Sequence, residues 1–167
     1  MKTDDPRLEQ AREDMRERVE KMDKLTLATL RSHLFVEQCM NDYIVASGVK
    51  RKWFRKKTFR DKIQKCRSLA KEEGKDTLWD VLEAGNQFRN TIAHTLSTEK
   101  IADKMVQLKE AFLASLTAKQ VEDLKNQPDD FVAVSAFVIC AGFIVMLKSR
   151  ADGGGDKSAV AAQVGSP

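Results

Sequence analysis

Thr77-Leu78-Trp79-Asp80-Val81-Leu82-Glu83-Ala84-Gly85-Asn86-Gln87-Phe88-Arg89-Asn90-Thr91-Ile92-Ala93-His94 is the stretch on which the fold turns. Its opening hydroxyl with an acid three positions on predicts a helix start. At about 100° per residue, Val81, Ala84, Phe88 and Ile92 fall on one stripe, with Trp79, Leu82, Asn86, Asn90 and Ala93 roughly opposite. A helix with two semi-apolar faces is sandwiched, one face on its own core and the other against a second chain. Its end places a permanent cation, an amide and one of only two histidines within two turns. Histidine moves protons near neutral pH and arginine grips phosphate with two prongs, so the group suits phosphodiester chemistry. The bland alternative is a helix C-terminus stabilised by a cationic histidine, with Arg89 in a structural ion pair. On an ideal helix Arg89 and His94 stand about 140° apart, so they converge only through distortion, a stretched arginine or a dimer.

The same signals recur outward from this helix. Few glycines and prolines and few alternating apolar runs predict an all-α chain. Asp5-Pro6 starts a helix carrying Leu8, Ala11, Met15, Val19 and Met22, a narrow apolar seam that needs a partner helix. A second helix runs from about Leu25 to Ser47 and ends at Gly48 as the C′ residue. Thr58-Phe59-Arg60-Asp61 opens a third that stops near Gly74. After the motif helix come a fifth, from about Glu99 to Leu116, a short sixth capped by Thr117-Ala118-Lys119-Gln120, and a seventh from Asp129 to about Lys148. The chain divides into a charged amphipathic helix over residues 1–24, a helical domain over 25–150 and a tail over 151–167 with too little apolar surface to order itself.

The composition, 167 residues with 42% hydrophobic and 32% charged, fits one globular domain with a modest core. The net charge of +4 is concentrated: Lys50 to Arg67 holds ten Lys or Arg against the single acid Asp61, a local +9, so the remainder is net acidic. Within it, Lys50, Arg51, Lys52, Arg55, Lys56 and Lys57 surround Trp53 and Phe54, a pattern for holding a nucleic-acid backbone while an aromatic stacks on a base. The alternative is a solvated loop anchored to the core by its aromatics. Three widely spaced cysteines, Cys39, Cys66 and Cys140, suggest neither a disulfide framework nor a metal site. With a densely charged Met1–Lys24 instead of a signal segment, this points to the cytoplasm. No metal and no cofactor is expected.

Two further anomalies bear on function. Leu30, His33, Glu37, Met40 and Ile44 share one stripe, and a carboxylate there needs a partner, for which Arg89 on a facing helix is the natural candidate. Otherwise Glu37 sits at the stripe's edge and His33 is an ordinary packed histidine. Phe131–Leu147 is 17 residues without a charge, at the lower limit of about 17 for a membrane helix. A span would place its C-terminus, with Lys148 and Arg150, in the cytoplasm. Burial between the core and another subunit is favoured, because the length is minimal and no aromatic belt flanks it.

Ser32-His33-Leu34-Phe35-Val36-Glu37, then Phe59-Arg60-Asp61-Lys62-Ile63, then Phe88 through His94, resembles HEPN domains, especially their mannitol operon repressor-like branch, over roughly Leu25 to Leu147. The resemblance implies a bundle of about six to seven helices that dimerises with two Arg-x4–6-His motifs face to face. It implies either a metal-independent endoribonuclease or a member that binds without cutting, including a transcriptional regulator of the mannitol repressor type. By position the family pattern falls on Arg89 and His94, with Asn90 as the polar residue after the arginine and Glu37 at a recurrent acidic position. His94 would move protons, Arg89 would stabilise phosphate and Asn90 would position it. Leu96 stands where the branch paired with minimal nucleotidyltransferases has a tyrosine, so that branch's antitoxin mechanism is not implied. The expected partners are a second copy and RNA or DNA, with a protein antitoxin or regulator as a further option.

Overall fold

The computed structural model describes residues 6–70 and 76–154, which form six α-helices, one 3₁₀ turn and no strand. The all-α bundle expected from the sequence is therefore what the chain builds. The helices are α1 (Pro6–Ala46), α2 (Phe59–Ala70), α3 (Asp76–His94), α4 (Thr98–Ala114), α5 (Ala118–Leu124) and α6 (Asp129–Gly154), and the 3₁₀ turn is Arg51–Phe54. The expected helix start at Asp5 and the stop near Gly74 lie outside the described residues.

The two helices expected before Gly48 are one. No glycine or proline lies between Arg7 and Ser47, so nothing interrupts the backbone ladder at Leu25, and α1 runs 41 residues, about 60 Å. It stops where the sequence signals it should. Gly48 takes φ 84°, its N–H donates to the Val45 carbonyl at 2.9 Å, and the Val49 N–H reaches back to Ile44 at 3.2 Å, closing a Schellman-type end. The described side chains from Pro6 to Glu20 are all exposed, so the seam of Leu8, Met15 and Val19 meets no partner helix among the described residues. Met22 and Leu25 are the first to pack on the core.

The local start signals hold where they can be seen. At the head of α2 the Thr58 N–H donates to Asp61 Oδ2 at 2.8 Å, and the Asp61 N–H returns to Thr58 Oγ1 at 3.2 Å. The Thr58 N–H, together with the Thr58 hydroxyl donating to the same Oδ2 at 3.0 Å, holds the Asp61 carboxyl below the usual carboxylate range. The Thr117 N–H donates to Gln120 Oε1 at 3.0 Å before α5.

The core lies between α1, α3, α4 and α6, with α2 packed across α1 and α3. Val36, Met40 and Ile44 of α1 meet Val132, Ala136, Phe137, Cys140 and Ile144 of α6 in one cluster with Trp79, Leu82 and Phe88 of α3 and Leu108 and Phe112 of α4. The three cysteines are separate buried thiols; burial pushes Cys66 and Cys140 each up to about 12 and raises Cys39 as well. The second apolar face of α3 is satisfied from within the chain. Trp79 and Leu82 are buried, and Trp79 sits edge-on to Phe143 of α6 at 5.2 Å. Only beyond Asn86 does that face open, leaving Asn90, Ala93 and His94 exposed.

Helix α6 continues to Gly154, so the first residues assigned to the tail are helical, and the remainder of 151–167 lies outside the described residues. By length and composition α6 can cross a membrane, with mean hydropathy 2.4 over its most apolar window, half of which is buried inside the protein. Its approach to α3 is set by Gly85. A Cβ there would lie 2.9 Å from two carbons of the Phe137 ring, which is itself buried. Gly85→Ala should therefore lower stability by about 1–2 kcal/mol despite alanine's better helix propensity, read as a lower urea midpoint with unchanged slope. An unchanged or higher midpoint would show that the ring can move aside.

Candidate functional site

A polar cleft of about 630 Å³ opens where α1, α2 and α3 meet, lined by His33, Glu37, Thr58, Phe59, Arg60, Glu83, Asn86, Gln87, Arg89 and Asn90. Four of the five predicted site residues, Arg89, Asn90, Glu37 and His33, are thus brought together. His94 is not. It is exposed at the last residue of α3, as the angular separation along an undistorted helix requires, and does not line the cleft within one protomer.

The partner expected for Glu37 is corrected by the structure. Its carboxylate accepts from Lys62 Nζ at 2.6 Å, not from Arg89. Lys62 is 7% exposed, and its ammonium also lies 5.8 Å from the Phe54 ring centre. A signal for this was present in the sequence, since Phe59, Lys62, Ile63, Cys66 and Ala70 share the buried stripe of α2 and a lysine there must be paired. Lys62→Ala should cost about 2–3 kcal/mol by urea denaturation, tempered because Glu37 is partly solvated, and Lys62→Met should cost less by keeping the packing. Equal stability of both variants with wild type would refute a structural role for the pair.

With Glu37 engaged by Lys62, and Glu83 3.8 Å from Arg60, Arg89 is the cleft cation without a carboxylate partner among the described residues. Its Nη1 donates to Asn90 Oδ1 at 3.1 Å, and its Nε–H is buried with no acceptor. A guanidinium held this way is short of acceptors and open to an anion.

His33 is packed rather than poised. Its ring stacks on Phe59 at 3.8 Å between centres and meets the edge of Phe137 at 6.0 Å, and neither ring nitrogen has a hydrogen-bond partner. Desolvation and then the Arg89 charge push its pKa down to about 4, against the opposing pull of Asn86, which lies outside hydrogen-bond geometry, and of Glu37. The ring is neutral at pH 7. Sequence reasoning also missed Asn86 and Gln87, one turn before Arg89, which make the wall rich in carboxamides.

In the basic connection Lys50, Arg51, Lys52, Arg55, Lys56 and Lys57 are all exposed. None of Lys50, Arg51, Lys52, Arg55 and Lys56 forms an ion pair among the described residues. Trp53 and Phe54 are half-buried against the core, edge to face at 5.4 Å, with Lys57 Nζ 5.4 Å from the Trp53 ring centre. The aromatics anchor the loop, so stacking on a base would need Trp53 to leave its packing. Lys56 holds φ 65°, which turns the basic run back on itself. The contacts from Phe54 to Lys62 to Glu37 tie this segment to the cleft.

No group of three or more His, Cys, Asp or Glu with metal-binding geometry occurs among the described residues. No family model, curated protein or solved structure matches the chain.

Proposed function

We propose that the protein is a HEPN-type nucleic-acid-associated protein, and that its Arg89-Asn90 pair takes an RNA phosphate while His94 serves as proton carrier in a metal-independent endoribonuclease formed by two copies. The observation that carries this reading is Arg89, an arginine on the wall of an open polar cleft whose carboxylates, among the described residues, are engaged by other cations. The exposed basic connection, linked to the same cleft, supports an extended polyanion over a small anionic ligand.

The reaction needs a base for the 2′-hydroxyl proton, an acid for the departing 5′-oxygen and a cation for the crowded phosphate. One His94 acts as base and the His94 of the second copy as acid. The 2′-oxygen bonds to phosphorus as the P–O5′ bond breaks, leaving a 2′,3′-cyclic phosphate and a 5′-hydroxyl. Asn90, exposed beside Arg89, positions the phosphate. Glu37 and His33 support the cleft without reaching the reacting atoms.

The non-catalytic regulator is the second reading, favoured by the placement of His94 outside the cleft that Arg89 lines. Mixed RNA incubated with the full chain in chelator separates them. Cyclic-phosphate ends that disappear in His94→Ala are expected. Cutting that survives His94→Ala would remove the site, and binding without cutting by wild type would establish the regulator.

A further inference from the structure

The face of α6 turned away from the core carries a second pattern. Phe131, Ser135, Val138, Gly142, Val145 and Ser149 recur at alternating intervals of four and three, the spacing of a coiled-coil seam. Every position of one set is apolar (Phe131, Val138, Val145), and every position of the other is small (Ser135, Gly142, Ser149). Phe131 is 50% exposed, Val138 53% and Val145 47%, while Val132, Ala136, Cys140 and Ile144 on the opposite side are buried. The helix thus has a finished inner face and an open outer one, about 27 Å long. A Cβ built on Gly142 meets nothing within 4 Å in the protomer, so the backbone there is bare.

We infer that this seam is a self-association surface, on which α6 of a second copy packs antiparallel. Two observations single out that occupant. Turned antiparallel about Cys140, every layer pairs a large residue with a small one: Phe131 against Ser149, Val138 against Gly142 and Val145 against Ser135 of the second copy. A parallel pairing would set bare layers against crowded ones. The charges agree. Asp129 and Asp130 stand at one end of the helix and Lys148 and Arg150 at the other; Lys24 lies 2.9 Å from Asp130 and Asp152 3.5 Å from Lys148, which leaves an acidic excess at the first end and a basic excess at the second, so antiparallel copies bring opposite signs together and parallel copies bring like signs. An apolar groove of about 430 Å³ between α5 and α6, lined among others by Leu124, Phe131, Val134 and Val138, flanks one half of the seam. Val145 and Met146 of the second copy, both exposed in the protomer, would seat beside it.

The surface lies apart from the cleft at Arg89 and is a contact additional to the two-copy arrangement proposed for His94; association that survives Gly142→Leu would overturn the seam and leave that reading standing. Sedimentation equilibrium of the full chain tests it. Wild type should self-associate, and Gly142→Leu should weaken association by at least about thirtyfold while keeping the helical circular dichroism, because the new side chain enters open space in the protomer and two copies of it crowd the seam. Val138→Ala combined with Gly142→Leu restores one large and one small residue per layer and should recover most of the affinity. A monomeric wild type would overturn the proposal, as would a dimer indifferent to Gly142→Leu. Failure of the double variant to recover would overturn the antiparallel register. Co-sedimentation of wild type with phosphatidylcholine–phosphatidylglycerol vesicles, lost in Val138→Lys, would instead make lipid the occupant.

Discussion

Arg89→Ala should, on the proposed ribonuclease reading, lower RNA cleavage by about two to three orders of magnitude with little change in melting temperature, the loss typical of removing a group that stabilises charge developed only in the transition state. The substitution is structurally mild because the guanidinium donates to its neighbour Asn90, and no ion pair of the fold runs through it among the described residues. The buried Nε–H loses nothing, since it has no acceptor to begin with. Arg89→Lys separates charge from geometry. A lysine restores one positive charge but not the planar fork, so cleavage should recover only in part while affinity for RNA recovers more. Single-turnover rates at saturating protein, with product ends identified as cyclic phosphates, make the measurement. If Arg89→Ala cuts as fast as wild type, the phosphate is held elsewhere and the cleft is not the site.

The second large effect is on stability against pH, and it comes from His33. Its pKa is 6.5 in an unfolded chain and about 4 in the fold, so between those values the unfolded state binds the extra proton. Stability contributed by keeping this ring neutral is fully present above pH 6.5. It falls as the pH drops toward 4, by about 2–3 kcal/mol, the lower part of that range reflecting the water that the open cleft lets near the ring. Protonation also sets an imidazolium beside Arg89 and against Phe59, with Glu37 already engaged by Lys62. Urea midpoints of wild type should drop through this window, whereas those of His33→Leu should fall less steeply, its remaining slope belonging to the carboxylates. Parallel pH profiles for the two proteins would mean that His33 titrates normally. Because the ring stays neutral at physiological pH, the same experiment bears on function: a slope lying between pH 6.5 and about 4 leaves His33 no role as a cationic acid at pH 7.

Much of the architecture was legible in the chain because it is governed by local chemistry. The Thr58 and Thr117 starts, the Gly48 stop and the all-α class follow from caps, backbone freedom and periodicity within a few residues. The two-faced character of α3 was equally visible, and so was the doubly apolar character of α6. The break expected at Leu25 was not real, because a change from charged to apolar composition does not interrupt a helix that no glycine or proline breaks.

What packing alone could decide is which groups meet. Periodicity put Glu37 and Arg89 on faces able to oppose each other, and both do line one cleft, but α2 packs against α1 and α3 there and supplied Lys62 to Glu37, an outcome that depends on three helices at once. The spacing of Arg89 and His94 stated their angular separation correctly, yet only the surrounding helices show that one lines a cleft and the other faces outward. The second face of α3 found its cover in Phe143 of α6, 64 residues later in the chain, leaving the open apolar surface on α6 instead. Helix starts and stops are near-neighbour energies written into adjacent residues, whereas the pairing of buried charges and the choice of which face stays bare are settled by contacts between segments far apart in sequence.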